Sequence, residues 1–167
     1  LIKTTATQGL TPDNVLTRVN EDLSLDNPSL MFVTLFLGIL NIRTGKVVYC
    51  NGGHNPPYII RSDGGVAAVE STHGMALGVM EDFVYNSKSF TLGKGESLFI
   101  YTDGVTEAMN GEEELYSEER LEAALIDLQE ASVTDIIGNL MKTIHRFSRD
   151  VPQSDDITMM MIRYNGS

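Results

Sequence analysis

The sequence predicts an α+β fold in which antiparallel strands form a β-sandwich flanked by helices. Three observations carry that expectation. Apolar strand-like runs recur along the middle of the chain, separated by tight Gly-containing turns. Two segments with helical apolar spacing follow one another after residue 116, segregated from the strands. No strand–helix alternation of the kind that builds a parallel sheet is visible.

The first element opens at Thr11-Pro12-Asp13, where Thr11 suits an N-cap and Pro12 the first helical position. Val15, Leu16, Val19 and Leu23 then form an apolar stripe. Met31 to Ile42 is rich in Val, Leu, Ile and Phe, which predicts a strand buried on both faces. Thr44-Gly45 turns the chain back through Lys46 to Asn51, a β-hairpin. Gly52-Gly53-His54-Asn55-Pro56-Pro57 reads as a loop. Tyr58 to Arg61 and Val66 to Val69 pair across Ser62 to Gly65, and Phe83 to Leu92 is expected to pair with Ser97 to Thr102 across Gly93 to Glu96. A helix starts near Ser117 and carries Leu121, Leu125 and Leu128. A second has Ser132 and Asp135 in capping-box spacing and a stripe of Ile137, Leu140, Met141, Ile144 and Phe147. Ile157 to Tyr164 closes the series as a buried strand, with Met159 to Met161 read as core.

The chain has 167 residues, enough for one domain with its own core. Hydrophobic residues make up 42% and charged residues 21%, ordinary values for a globular protein. A formal net charge of -11 argues against nucleic acid or an anionic membrane as the main partner. The single cysteine, Cys50, sits in an apolar stretch and reads as a small buried hydrophobe, which points to a reducing, cytoplasmic setting. No apolar run is long enough to span a bilayer. Self-association into a homodimer is left open.

Two acidic positions stand at strand ends. Asp103-Gly104 directly follows one strand, and Asp155-Asp156 directly precedes another. If those strands lie antiparallel, or face one another, their carboxylates meet at one rim. Carboxylates gathered in that way repel unless a cation joins them, and oxygen donors suit Mg²⁺ or Mn²⁺ rather than zinc. Two such ions activate water and neutralise phosphoryl oxygens without a protein nucleophile. A G-x-S-x-G elbow, a P-loop and a C-x-x-C pair are all missing from the sequence. Read singly, Asp-Gly is a common turn and Asp-Asp a common solvated loop.

Tyr101-Thr102-Asp103-Gly104-Val105-Thr106-Glu107-Ala108 resembles a signature segment of the stage II sporulation E-type phosphatases, bacterial relatives of the type 2C protein phosphatases. Asn51 to Pro57 resembles that family's "NAGHNPP" loop, and Ser154-Asp155-Asp156-Ile157-Thr158 its closing "DDIT" motif. Phe32 to Phe36 and Gly74-Met75-Ala76-Leu77-Gly78 also match, in family order. The resemblance implies a metal-dependent serine/threonine protein phosphatase using two Mn²⁺ or Mg²⁺ ions. Asp103 and Asp155 are the implied metal ligands, with Asp156 a weaker third. Gly104, Glu107 and His54 are candidates for supporting roles, His54 more simply as a residue that shapes its loop. The implied substrate is a phosphoserine or phosphothreonine protein of the anti-sigma-factor-antagonist type, and an upstream sensor or receiver domain is expected.

The family's earlier "DVSGHG" motif is not found, and Leu1 to Gln8 resembles the helix that follows it. The chain is therefore expected to lack the N-terminal metal-binding segment of the domain and to be nearly inactive alone. Leu115-Tyr116-Ser117 departs from a family pattern of an aromatic followed by Gly. The competing reading is a degenerate, non-catalytic binding module in the same signalling pathway, against which the presence of Asp103 and Asp155 counts. A structural Ca²⁺ domain is disfavoured because no loop has alternating carboxylates.

Overall fold

The computed structural model describes residues 9–25, 27–149 and 151–166. The segment Leu1 to Gln8, read above as a helix following a missing motif, lies outside the described residues. The chain divides into two compact units. Of the described residues, one takes those from Gly9 to Pro56, Glu70–Leu92 and Gly166, the other those of Pro57–Val69 and Gly93–Asn165.

The first unit holds helix α1 (Pro12–Ser24) and an antiparallel sheet of β1 (Leu35–Leu40), β2 (Lys46–Gly52) and β5 (Lys88–Thr91), in the order β1-β2-β5. Pro12 begins α1 as expected, but the Thr11 side chain accepts from Asn14 Nδ2 at 2.7 Å and does not cap a backbone N–H. Val15, Leu16 and Val19 are buried against Cys50, Leu77 and Tyr85, with Leu23 packed at the margin. Burial pushes the Cys50 thiol up to about 11, so it is an inert core group. Asn20 is fully buried yet satisfied: Nδ2 donates to the Met80 and Glu81 carbonyls, and Oδ1 accepts from the Gly78 N–H.

The second unit holds a sheet in the order β4-β3-β6-β7, from β3 (Tyr58–Ile60), β4 (Val66–Ala68), β6 (Ser97–Tyr101) and β7 (Met159–Arg163). It also holds α2 (Ser117–Leu128) and α3 (Val133–Phe147). Ser132 caps α3 by accepting from the Asp135 N–H at 3.1 Å, and its hydroxyl donates to the Asp135 carboxylate. Leu121 and Leu125 of α2 pack with Ile136, Leu140 and Ile144 of α3 against Phe99 and Tyr101 of β6. The buried stripe of α3 begins at Ile136, and Ile137, to which the sequence pointed, is partly buried against the same cluster. Leu140 has no exposed surface. Leu140→Ala is expected to cost about 3 kcal/mol, read as a lower midpoint in denaturant unfolding with an unchanged slope.

Three expectations are corrected. Phe83 to Leu92 does not pair with Ser97 to Thr102: β5 pairs with β2, while β6 lies between β3 and β7. The Gly93–Glu96 turn does close, with the Glu96 N–H on the Gly93 carbonyl, but its flanking groups are committed elsewhere. Leu92 N–H donates to the Gly45 carbonyl, Gly95 N–H to Tyr164, and Tyr164 N–H to Glu96. Next, the Met31 to Ile42 run is not buried on both faces. Its regular part is β1, at an edge of the described sheet; Ile39 is 48% exposed and Met31 and Phe32 more so. Last, β7 is buried on one face only. Met159 and Met161 pack on the core, while Met160 and Ile162 are exposed. In β7 the exposed residues alternate with those on the core because successive side chains point to opposite faces of the sheet, while β1 lies at an edge of the described sheet.

The family departure at Ser117 has a visible backbone counterpart. Ser117 has φ 69°, the left-handed region where Gly carries no Cβ penalty. No described helix is long and apolar enough to cross a membrane.

Candidate functional site

The acidic motifs meet because β6 and β7 are antiparallel with Tyr101 opposite Met159. That register sets the residues after β6 beside those before β7. Thr102 extends the ladder by one step, its N–H donating to the Thr158 carbonyl at 3.0 Å. Its hydroxyl then bridges the two chains, donating to the Asp156 carbonyl at 2.8 Å and accepting from the Thr158 N–H at 2.9 Å.

Past Thr102 the chain tightens into a 3₁₀ turn, Asp103–Val105. The Asp103 carbonyl accepts from the Glu107 N–H at 2.8 Å and the Thr106 hydroxyl at 3.2 Å. Asp103 Oδ1 accepts from the Gly104 N–H at 3.0 Å. Gly104 is buried under the opposing strand end. A Cβ there would lie 2.6 Å from the Asp156 carbonyl oxygen and 3.1 Å from that of Asp155. Only glycine allows the two backbones to come so close. Across from it, Asp155 Oδ1 accepts from the Asp156 N–H at 2.7 Å, and Gln153 Nε2 donates to the Asp155 carbonyl at 2.5 Å.

The structure therefore brings Asp103, Gly104, Asp155 and Asp156 to one rim of the second unit. All three aspartates are exposed while the backbone that carries them is fixed. Glu107 takes part through its N–H, and its side chain is exposed. Among the described residues, no three His, Cys, Asp or Glu side chains form a ready cage for a metal. The donors at the rim are carboxylates without imidazole or thiolate. That set fits part of a site for hard divalent cations and does not fit zinc.

His54 belongs to the first unit. Its N–H donates to Asn51 Oδ1 at 2.7 Å and its carbonyl accepts from Asn51 Nδ2 at 2.8 Å. Its Nδ1 lies 3.3 Å from the Thr34 hydroxyl. The loop is thus bracketed by Asn51, itself anchored by Thr72, whose hydroxyl accepts from the Asn51 N–H at 3.0 Å. Gly74 lies against the same strand end, where a Cβ would fall 1.8 Å from the Asn51 carbonyl oxygen.

Sequence reasoning missed Thr102, Gln153 and Asn51 as positioning residues. A signal existed for Asn51, an Asx side chain directly before Gly-Gly at a strand end. None existed for Gln153.

A family model described as stage II sporulation protein E (SpoIIE) matches residues 1–165. The chain belongs to the SpoIIE family. Among relatives, it is 35% identical over 135 residues to Protein IcfG of Synechocystis sp., an alignment covering 81% of this chain and 21% of that protein. It is 23% identical over 155 residues to the phosphoserine phosphatase RsbU of Bacillus subtilis, covering 93% of this chain and 46% of RsbU. The chain thus spans less than half the length of these curated relatives. A solved structure of the PP2C phosphatase domain and a regulatory-domain fragment of Bacillus subtilis SpoIIE superposes with a TM-score of 0.81 at 21% identity. That match covers 97% of this chain and 47% of the other, and it establishes the SpoIIE-type α+β fold.

Proposed function

We propose that this SpoIIE-family chain forms the catalytic domain of a metal-dependent phosphoprotein phosphatase. Its substrate is a phosphoserine or phosphothreonine regulatory protein of the anti-sigma-factor-antagonist type, and an upstream regulatory domain controls it. The observation that carries the proposal is the meeting of Asp103 with Asp155 and Asp156, set by β6–β7 register and by close packing at Gly104. The name of the relative RsbU, a phosphoserine phosphatase, supports the same reading.

Asp103, Asp155 and Asp156 would hold a pair of Mn²⁺ or Mg²⁺ ions together with oxygen donors beyond those described. When bound, such a pair supplies Lewis-acid stabilisation of the phosphoryl oxygens and a water nucleophile. The chain's own part is placement. Thr102 fixes the spacing of the two strand ends through its bridging hydroxyl. Glu107 and Thr106 hold the Asp103 carbonyl, which leaves the Asp103 side chain at the rim. The backbone that carries the three aspartates is thus already placed for a cation to draw their carboxylates together.

The test is phosphate release from a phosphoserine protein by the full-length protein that contains this chain. Chelation with EDTA is expected to lower turnover by about 100-fold or more, and added Mn²⁺ to restore it. Turnover that persists in excess EDTA would remove the metal from the mechanism. A wild-type protein inactive on every phosphoester would leave the binding-module reading in its place.

A further inference from the structure

A cavity of about 220 Å³ lies beside the acidic rim, inside the second unit. Two of its walls continue the segments that carry the rim aspartates. Ala108 and Met109 follow the Asp103 turn, while Gln153 and Ile157 flank Asp155-Asp156. Gln153 belongs to both features, since it lines the cavity and donates to the Asp155 carbonyl. The third wall is the last turn of α3 and the residues that follow it, with His145 on the helix and Arg149 just beyond its end. The volume is too small for a cofactor and suits a single side chain.

The charge of this wall is unusual for the molecule. The chain carries a net charge of -11, and the three rim aspartates add local negative charge. A phosphoprotein substrate is anionic as well. The ion pairs among the described residues join Arg61 with Glu96, Lys88 with Glu70, and Arg120 with Glu114. None uses His145 or Arg149, and both are exposed at the cavity. We infer that this cavity is a specificity subsite that takes an acidic residue flanking the substrate phosphoserine, with Arg149 as its main cationic contact and His145 beside it. The inference rests on the phosphatase reading for its substrate and on charge complementarity for its occupant. An Arg that makes no ion pair among the described residues, at the edge of an acidic surface, offers the flank an attractive contact in a protein of net charge -11.

The experiment uses the full-length protein and two phosphoserine peptides that differ only in their flanking residues, Glu in one and Lys in the other. The readouts are kcat/KM for each, and Kd for each by fluorescence anisotropy in EDTA. Wild type is expected to prefer the Glu peptide. Arg149→Glu is expected to reduce that preference about tenfold or reverse it, and Arg149→Lys to retain most of it. An unchanged preference in Arg149→Glu would overturn the assignment. So would an equal loss on both peptides, which would place Arg149 against the phosphate or the fold. If wild type hydrolyses neither peptide nor a phosphoserine protein, the phosphatase reading fails by itself. The anisotropy preference then still decides the subsite: its loss in Arg149→Glu supports it, and its persistence rejects it.

Discussion

Asp103→Asn is expected to lower kcat/KM of the full-length protein on a phosphoserine substrate by about 100- to 1,000-fold, with its melting temperature nearly unchanged. The two halves of that expectation have separate causes. Asp103 is exposed, and its described side-chain bond is an accepted N–H from Gly104. An Asn carbonyl oxygen accepts the same bond, so the 3₁₀ turn survives. Exposed substitutions of this sort shift stability by about 0.5 kcal/mol or less. The charge is what disappears. Holding a divalent cation with one fewer anionic oxygen removes several kcal/mol of transition-state stabilisation, and each 1.36 kcal/mol or so is a factor of ten in rate. Steady-state kinetics beside a thermal melt checks both halves. A variant that melts far below wild type would mean that Asp103 acts on the fold and not on the chemistry.

Gly74→Ala is expected to show the opposite pattern, with stability as the primary loss. The added Cβ would lie 1.8 Å from the Asn51 carbonyl oxygen and 2.9 Å from its carbon. Both are backbone atoms at the end of β2, and Thr72 holds the same residue by two hydrogen bonds. No side-chain rotation relieves the overlap, so the 74–78 loop or the strand end must move. Overpacking of this severity costs about 3 kcal/mol. For a chain of this size the melting temperature then falls by about 10 °C. Because Asn51 also brackets His54, the variant should lose order at the 53–57 loop first, visible as faster amide exchange there than in β6 and β7. A melting temperature within 2 °C or so of wild type would show that the contact has slack.

The rim was legible because it depends on local signals. An aspartate one residue past an apolar run, and another just before a second run, place themselves at strand ends without knowledge of the topology. Antiparallel pairing of those runs is then enough to join them. Where the sequence misled, long-range pairing decided. Gly93 to Glu96 has the chemistry of a hairpin turn, and it does turn the chain. Yet the strands on either side belong to different sheets, because Leu92 bonds to Gly45 and Gly95 to Tyr164. Neither partner is near in sequence, so turn residues could not reveal them. The burial of β1 and β7 failed for a related reason. An apolar run has the same composition whether one face of its strand is covered or both. On α3, Ile136 and Ile137 are adjacent and both touch the core, the first fully buried and the second at its margin, and composition alone could not rank them. The packing role of Gly104 was invisible as well, since Asp-Gly is explained equally well by an ordinary turn.

The Thr102–Thr158 bridge joins residues 56 positions apart in the chain. Residues 108–152 between them, with both helices of the second unit, are a detour as far as the aspartates are concerned. Extra residues inserted in the loops of that detour leave the aspartates where they are, because lengthening a closed loop adds only about 0.6 kcal/mol per doubling. Deleting one residue within β7 is a different matter. It would slip the strand by one step against β6, turn Met159 and Met161 outward, and carry Asp155 and Asp156 away from Gly104. The site is indifferent to how far apart its halves are written, and intolerant of any miscount in the strand that aligns them.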